Sequence, residues 1–121
     1  MDTHSQGHGR HLKFLKMAAK QALKVPYNQR LGAVVVSGGR LLSRGFNDYT
    51  RNMHAECSAL IKLWPSNCKG ATLYVARLRK EQDWGMSRPC PECQKKIREL
   101  GIKEVIFTTN DVNQPFAIEV F

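Results

Sequence analysis

The chain has 121 residues, which is enough for one domain and too few for two domains with separate cores. No apolar run is long enough to cross a bilayer, and lysines interrupt any secretory signal at the N-terminus, so we expect a cytoplasmic protein with no membrane partner. Lys and Arg total 19 against 10 Asp and Glu, and the formal charge of +9 favours polyanionic partners, although solubility alone also explains a basic surface.

The N-terminal region is predicted to hold a tail and one helix. Residues 1–11 are polar and rich in Gly, Ser and His, and we predict a flexible tail there rather than a metal site. From Leu12 to Lys24, apolar residues at helical spacing share the segment with lysines, which predicts an amphipathic helix packed on a sheet and ended by Pro26. This helix opens a domain that we predict to span 12–121.

The rest of the chain alternates between strand and helix patterns. A β-branched run at Ala33 to Val36 is typical of a buried strand, and the Ser37-Gly38-Gly39 turn leads into its hairpin partner. The predicted elements are strands at 31–37 and 41–46, a helix at 54–63, a strand at 71–78, a loop at 79–89, a helix at 90–100, and strands at 103–109 and 116–121.

The order of these elements predicts the fold class. Two strands in succession, then a helix, a strand, a helix and two more strands indicate an α/β domain with a mixed five-stranded sheet and helices on its faces. The turn at 110–115 is too short for a crossover helix, so the last two strands are expected to be antiparallel.

Four residues at the beginnings of two predicted helices carry the chemistry. His54 opens one helix, and Cys90 and Cys93 share one face at the start of another. One imidazole and two thiolates suit zinc, and three protein ligands leave a position for water, as in catalytic zinc sites. Zinc lowers the pKa of such a water toward neutrality. Glu56 lies close to His54 and is suited to carry protons between the water, a ring nitrogen and a leaving amine, although an acidic residue there also caps a helix.

These residues form the pattern H-x-E…P-C-x-x-C, which resembles the cytidine deaminase-like superfamily. The resemblance covers about Leu12 to Phe121 and implies a three-layer α-β-α fold. It further implies Zn²⁺ held by His54, Cys90 and Cys93, with Glu56 as the general acid and base. Histidine as the first ligand resembles the deoxycytidylate, tRNA-adenosine and polynucleotide branches, whereas an antiparallel last strand pair resembles the free-cytidine branch.

The same resemblance points to substrate contacts. An asparagine placed like Asn47 contacts the sugar of the target nucleotide in the superfamily, although Asn-Asp is also a common turn sequence. Ala55 and Cys90 are expected to offer backbone groups to the base or to the zinc water. Trp84 precedes Cys90 in a loop and is expected to stack on a base or line the pocket, and Arg88 is expected to meet phosphates. A solvated charged loop is the alternative for Arg88.

The predicted activity is hydrolytic deamination of cytosine to uracil in a nucleotide or in single-stranded DNA or RNA. Adenine deamination in RNA, as in the tRNA-editing branch, is an alternative, since the motif does not distinguish the bases. A zinc-stabilised nucleic-acid-binding module without catalysis is another, in which Cys57 or Cys68 closes the site as a fourth ligand. Homo-oligomers are common among the free-nucleotide deaminases, so a homo-oligomer is a further expectation.

Overall fold

The computed structural model describes residues 3–48, 53–63, 68–81 and 83–121. In chain order, its elements are α1 (Thr3–Ala22), β1 (Arg30–Ser37), β2 (Arg40–Phe46), α2 (Ala55–Ile61), β3 (Thr72–Leu78), β4 (Trp84–Gly85), α3 (Pro91–Glu99), β5 (Glu104–Asp111) and β6 (Gln114–Val120). None of the helices in the described ranges is long and apolar enough to cross a membrane.

The strands form one mixed sheet in the order β2-β1-β3-β5-β6. Strands β3 and β5 run parallel, with helix α3 in the connection between them, while the other long neighbours are antiparallel. The predicted five strands and the antiparallel last pair are confirmed. A sixth strand, β4, lies inside the predicted loop at 79–89 and pairs with the end of β3 through Trp84 and Gly85. Two residues are too few to show a strand pattern, so only this pairing defines it.

The sheet separates two hydrophobic clusters, which confirms the three-layer arrangement. Along β1, Val34 and Val36 point toward α1, whereas Ala33 and Val35 point toward α2 and α3. This alternation follows from the two-residue repeat of a strand that is covered on both faces. A Cβ atom at Gly32 would lie 1.9 Å from the carbonyl oxygen of Ala18, so the glycine allows α1 to pack directly on the backbone of β1.

Helix α1 begins earlier than the sequence predicts. It starts at Thr3 rather than Leu12 and therefore runs through the region predicted as a flexible tail. Within it, Nδ1 of His11 lies 2.8 Å from the buried hydroxyl of Tyr74 on β3. The sequence did not predict this helical segment because it contains Gly and Ser, and both residues have low helix propensity. The division into a tail at 1–11 and a domain at 12–121 stays a prediction.

Candidate metal and catalytic site

His54 and Cys90 both occupy the residue before a helix. Their backbones are extended, with φ and ψ of −76° and 158° at His54 and −69° and 164° at Cys90. Neither side chain caps its own helix by a hydrogen bond. Both side chains are therefore available for a common ligand, and Pro91 at the first turn of α3 reinforces this helix start.

The structure brings His54, Cys90 and Cys93 together. Nδ1 of His54 lies 3.2 Å from Sγ of Cys93 and 3.7 Å from Sγ of Cys90. The candidate ligand atoms of all three residues lie within 4.8 Å of one another. An imidazole and two sulfurs this close fit a single zinc ion in chemistry and in spacing, since zinc ligands lie about 2.0–2.3 Å from the metal.

Glu56 lies beside this group and is nearly inaccessible, with 3% of its surface exposed. Its Oε1 atom is buried and has no hydrogen-bond partner among the described residues. Burial raises the pKa of the carboxyl group, while a hydrogen bond to its own backbone, the His54 imidazole and Cys93 act in the opposite direction. An unsatisfied buried carboxylate costs stability, and such groups are concentrated at functional sites.

Cys57, one of the two residues considered as a fourth ligand, lies at the edge of the same site. Its Sγ atom is 3.7 Å from Sγ of Cys93, but it does not belong to the group of three mutually close ligand atoms. The hydrogen bond with Cys93 lowers the pKa of Cys57 to about 6, and the same bond raises the pKa of Cys93. The three-residue spacing from His54 was the available signal, because it places Cys57 on the same helical face.

Cys68, the other residue considered for a closed site, packs elsewhere. It is 2% exposed, and its thiol donates a hydrogen bond to the carbonyl oxygen of Leu100. In the described residues the donor set therefore consists of one histidine and two cysteines, with Cys57 adjacent to it.

A cleft of about 240 Å³ opens beside Glu56. It brings together most of the residues that the sequence predicts for metal, proton and substrate contacts. Its lining residues are Gln29, Leu31, Asn47, His54, Ala55, Glu56, Arg88 and Cys90.

Asn47 ties two strand ends together at this cleft. Its Oδ1 accepts a hydrogen bond from the backbone N–H of Leu31 at 2.8 Å, and its Nδ2 donates to the carbonyl oxygen of Gln29 at 3.0 Å. The side chain is 3% exposed. Asn47 is thus fixed in the cleft wall, and the second N–H of its amide is the group left for a ligand.

Arg88 lies at the rim of the cleft and is held by Glu119 on β6. Nη2 of Arg88 lies 2.6 Å from Oε1 of Glu119, and Nε lies 3.4 Å from Oε2. The pair is side-on and bidentate, so it directs the guanidinium even though an exposed ion pair contributes little stability. Glu119 could not be predicted, because the register of β6 is not visible in the sequence.

A buried hydroxyl network anchors the segment that leads to Cys90. The hydroxyl of Ser87 donates to the carbonyl oxygens of Val75 and Thr108, at 2.9 and 3.3 Å. Thr108 in turn donates to the carbonyl oxygen of Gly85 at 2.7 Å. These bonds connect the segment to β3 and β5 just before Arg88, and so position the start of α3.

Trp84 lies outside the cleft beside Glu56. It pairs with Leu78 in the sheet, packs against the hydrophobic cluster on the α1 side and lines a separate cleft with Asp83 and Pro115. The β4 pairing holds Trp84 on this side of the sheet. We therefore leave Trp84 out of the proposed substrate site.

Comparison with known proteins identifies the family. The model of the cytidine and deoxycytidylate deaminase zinc-binding region matches residues 8–109. The chain belongs to this family. The matched residues include the candidate zinc ligands His54, Cys90 and Cys93 as well as Glu56, and the family agrees with zinc as the cofactor.

Individual relatives in this family differ in length and substrate. The riboflavin biosynthesis protein RibD of Aquifex aeolicus is 35% identical over 82% of this chain, which spans only 26% of that relative. A solved diaminohydroxyphosphoribosylaminopyrimidine deaminase/reductase of Thermotoga maritima is 31% identical over 88% of this chain and 31% of its own, with a TM-score of 0.66. The dCMP deaminase of cyanophage S-TIM5 is 25% identical over 82% of each chain, also with a TM-score of 0.66.

Proposed function

We propose that this protein is a zinc-dependent hydrolase that deaminates cytosine to uracil in a nucleotide or in single-stranded nucleic acid. The observation that carries the proposal is the buried carboxyl group of Glu56, whose Oε1 has no hydrogen-bond partner among the described residues, in a cleft that also holds His54 and Cys90. A module that binds zinc only for stability gains nothing from such a group, which costs folding free energy. In a deaminase the carboxylate acts as the general acid and base.

His54, Cys90 and Cys93 would hold the zinc ion. When bound, zinc supplies a water whose pKa is lowered toward neutrality. Sγ of Cys57 lies 3.7 Å from Sγ of Cys93, so Cys57 supports the position of that ligand from outside the group of three.

Glu56 moves the protons of the reaction. Its raised pKa brings the carboxyl group closer to neutral pH, where it serves both as an acceptor and as a donor. It takes a proton from the attacking water and passes it to the ring nitrogen. It then takes the second proton from the hydroxyl group now bonded to the ring carbon and gives it to the exocyclic amine, which leaves as ammonia while the ring carbonyl forms. Its burial excludes bulk water from these transfers.

The wall of the cleft positions the nucleotide. The amide of Asn47 presents its remaining N–H toward a sugar hydroxyl, and Ala55 contributes backbone atoms to the base. Arg88, whose side chain is 54% exposed, offers the guanidinium N–H groups that Glu119 does not use to a phosphate at the rim.

The relatives from Aquifex and Thermotoga suggest a second candidate substrate, a phosphoribosylaminopyrimidine. The Aquifex and Thermotoga proteins are more similar in sequence to this chain than the cyanophage dCMP deaminase is. The Thermotoga enzyme is named for a phosphoribosyl-bearing aminopyrimidine. Such a substrate shares with dCMP a ring amino group and a phosphorylated sugar, which are the features that the proposed site recognises.

The test is product analysis with purified, zinc-loaded protein. Cytidine, dCMP, a cytosine-containing single strand and the phosphoribosylaminopyrimidine are offered in parallel, and ammonia and the deaminated ring are quantified. We expect uracil from dCMP or from the strand. Deamination of the phosphoribosylaminopyrimidine alone would replace cytosine with the second substrate.

Two variants control this panel. Cys90→Ser removes a proposed zinc ligand, whereas Cys68→Ser changes a cysteine that does not contact the site. We expect loss of zinc and of turnover in the first and retention of both in the second. Absence of uracil from every cytosine substrate, in protein with bound zinc, would overturn the proposal.

A further inference from the structure

The positive charge of the chain is concentrated in its first part. Residues 3–47 contain eight Lys and Arg residues and no Asp or Glu. All 10 acidic residues lie outside this segment, where they nearly balance the remaining basic ones. The segment comprises α1, β1 and β2, so the imbalance belongs to one side of the fold.

Helix α1 presents much of this charge in a row. The name basic face is used here for a set of five exposed residues, which are Arg10, Lys13, Lys16, Lys20 and Lys24. The first four extend for about 15 Å along the helix, and the fifth follows the end of the helix. Within the described ranges, none of the five forms an ion pair with a carboxylate. The row is therefore available to a ligand with several negative charges.

One end of the basic face borders a groove. The groove has a volume of about 440 Å³ and lies between α1 and the turn that joins β1 to β2. Arg10 and Lys13 line it, together with Gly38 and Gly39. Both glycines have positive φ, and nothing lies within 4 Å of where their Cβ atoms would be, so the turn leaves this end of the row open.

The other end of the basic face approaches the cleft beside Glu56. Nζ of Lys24 lies 6.0 Å from the centre of the Phe46 ring, and Phe46 directly precedes Asn47 in the cleft wall. The packing of Ala18 and Ala22 on Gly32 shows that the C-terminal half of α1 crosses the beginning of β1, next to Leu31 in the same wall. The row therefore leads from the groove toward the cleft.

We propose that the basic face binds the phosphate backbone of a single polynucleotide strand and guides that strand toward the cleft. The row is too long for the one phosphate of a mononucleotide, and regularly spaced lysines match a repeating chain of phosphates. Lysines act on phosphate as point charges, so this contact does not depend on the base sequence. The inference rests on the proposed function in that the guided strand is the substrate.

An anionic membrane fits the basic face less well. Helices that lie on membranes bury apolar side chains between the lipids. In α1 the large apolar residues Phe14 and Leu15 are turned inward and are almost fully buried against the sheet. The face itself is formed by basic side chains that remain in water.

The experiment measures binding of a fluorescein-labelled single-stranded oligonucleotide without turnover, over a series of salt concentrations. The variant Lys13→Gln/Lys16→Gln/Lys20→Gln removes three charges from the basic face with little change in helix propensity. We expect its affinity to fall at least about tenfold and the slope of log K against log salt to shrink by about 2. Its matched control, Lys80→Gln/Lys95→Gln/Lys103→Gln, removes three exposed charges elsewhere and is expected to bind as the natural protein does.

Equal losses in the two triple variants, or no binding of the strand at low salt, would overturn the inference. So would stronger binding to vesicles of phosphatidylserine and phosphatidylcholine than to the strand. Because binding is measured without turnover, these results are separate from the deamination panel. If binding follows the basic face but no strand is deaminated, the strand is not the substrate, and the inference that the basic face guides it to the cleft is overturned whether or not dCMP is deaminated.

Discussion

Nδ1 of His54 lies 3.2 Å from Sγ of Cys93, although 39 residues separate them along the chain. One residue precedes α2 and the other lies in the first turn of α3, and both helices pack on the same face of the sheet. The parallel pairing of β3 with β5 requires the crossover that carries α3 to this place. The proximity of the candidate zinc ligands is thus a direct consequence of the sheet topology.

Cys57→Ala is expected to weaken zinc binding without abolishing it. The variant removes the thiol 3.7 Å from the sulfur of Cys93, and loss of such a supporting group typically costs about 10–100-fold in metal affinity. Competition with a chromophoric chelator measures the affinity. Cys68→Ala, which changes a buried cysteine away from the cluster, should leave it unaltered, and an equal loss in both variants would contradict the assignment.

Glu56→Gln is expected to stabilise the metal-free protein at neutral pH. Burial raises the pKa of Glu56 in the folded state above the ordinary carboxyl value of 4.5. The protonated side chain therefore contributes its full stability below about pH 4.5, and this contribution is lost as the pH rises through the folded-state pKa. Glutamine carries no charge and avoids this loss, which we put at about 1–3 kcal/mol. Urea unfolding at acidic and neutral pH measures the difference, which should grow with pH. A gap that shrinks as the pH rises would contradict the account.

Tyr74 is expected to make the fold sensitive to alkali. Burial, aided by Glu104, raises its pKa to about 12 from 10.0. Since the folded-state pKa is the higher one, stability is complete below about pH 10 and falls by about 2–3 kcal/mol as the pH rises to about 12. Denaturant unfolding of Tyr74→Phe should show a shallower decline over this interval than the natural protein. Tyr27→Phe, which alters a tyrosine outside both hydrophobic clusters, should keep the full decline.

Ser87→Ala is expected to lower both the free energy of unfolding and the affinity for zinc. The substitution leaves the buried carbonyl oxygen of Val75 without its hydroxyl donor, at a cost of about 1–3 kcal/mol. It also loosens the segment that carries Arg88 and Cys90. The free energy of unfolding and the zinc affinity should both fall, whereas Ser37→Ala at the exposed end of β1 should change neither. A normal zinc affinity in Ser87→Ala would limit the network to a role in folding.

Local patterns account for the parts of the fold that the sequence predicts. The β-branched run in β1 is buried on both faces, and the apolar positions of α2 and α3 cover one side of the sheet. The sequence identifies the candidate ligands because His54 and Cys90 each immediately precede a helix and Cys93 lies in the first turn of α3. Helix starts can be recognised from Pro and from the end of a strand pattern.

Pairings between distant segments account for what the sequence does not predict. Glu119 meets Arg88 only through the register of β6 on β5, and Trp84 is turned away from the cleft by its pairing with Leu78. A register shift of one residue would reverse the faces of a strand, and nothing local in these short segments specifies it. The position of Cys57 beside Cys93 likewise depends on how α2 and α3 pack.

The most direct test compares the zinc content and the turnover of Glu56→Gln with those of the natural protein on the substrate that the panel identifies. We expect the variant to hold as much zinc as the natural protein and to lose about 10²–10⁴-fold in kcat, since in the proposed mechanism the carboxylate moves protons and does not bind the metal. Glu99→Gln, an exposed substitution on α3, serves as the control and should keep full activity. Turnover that survives Glu56→Gln with zinc bound would contradict the assignment of Glu56 and, with it, the proposed mechanism.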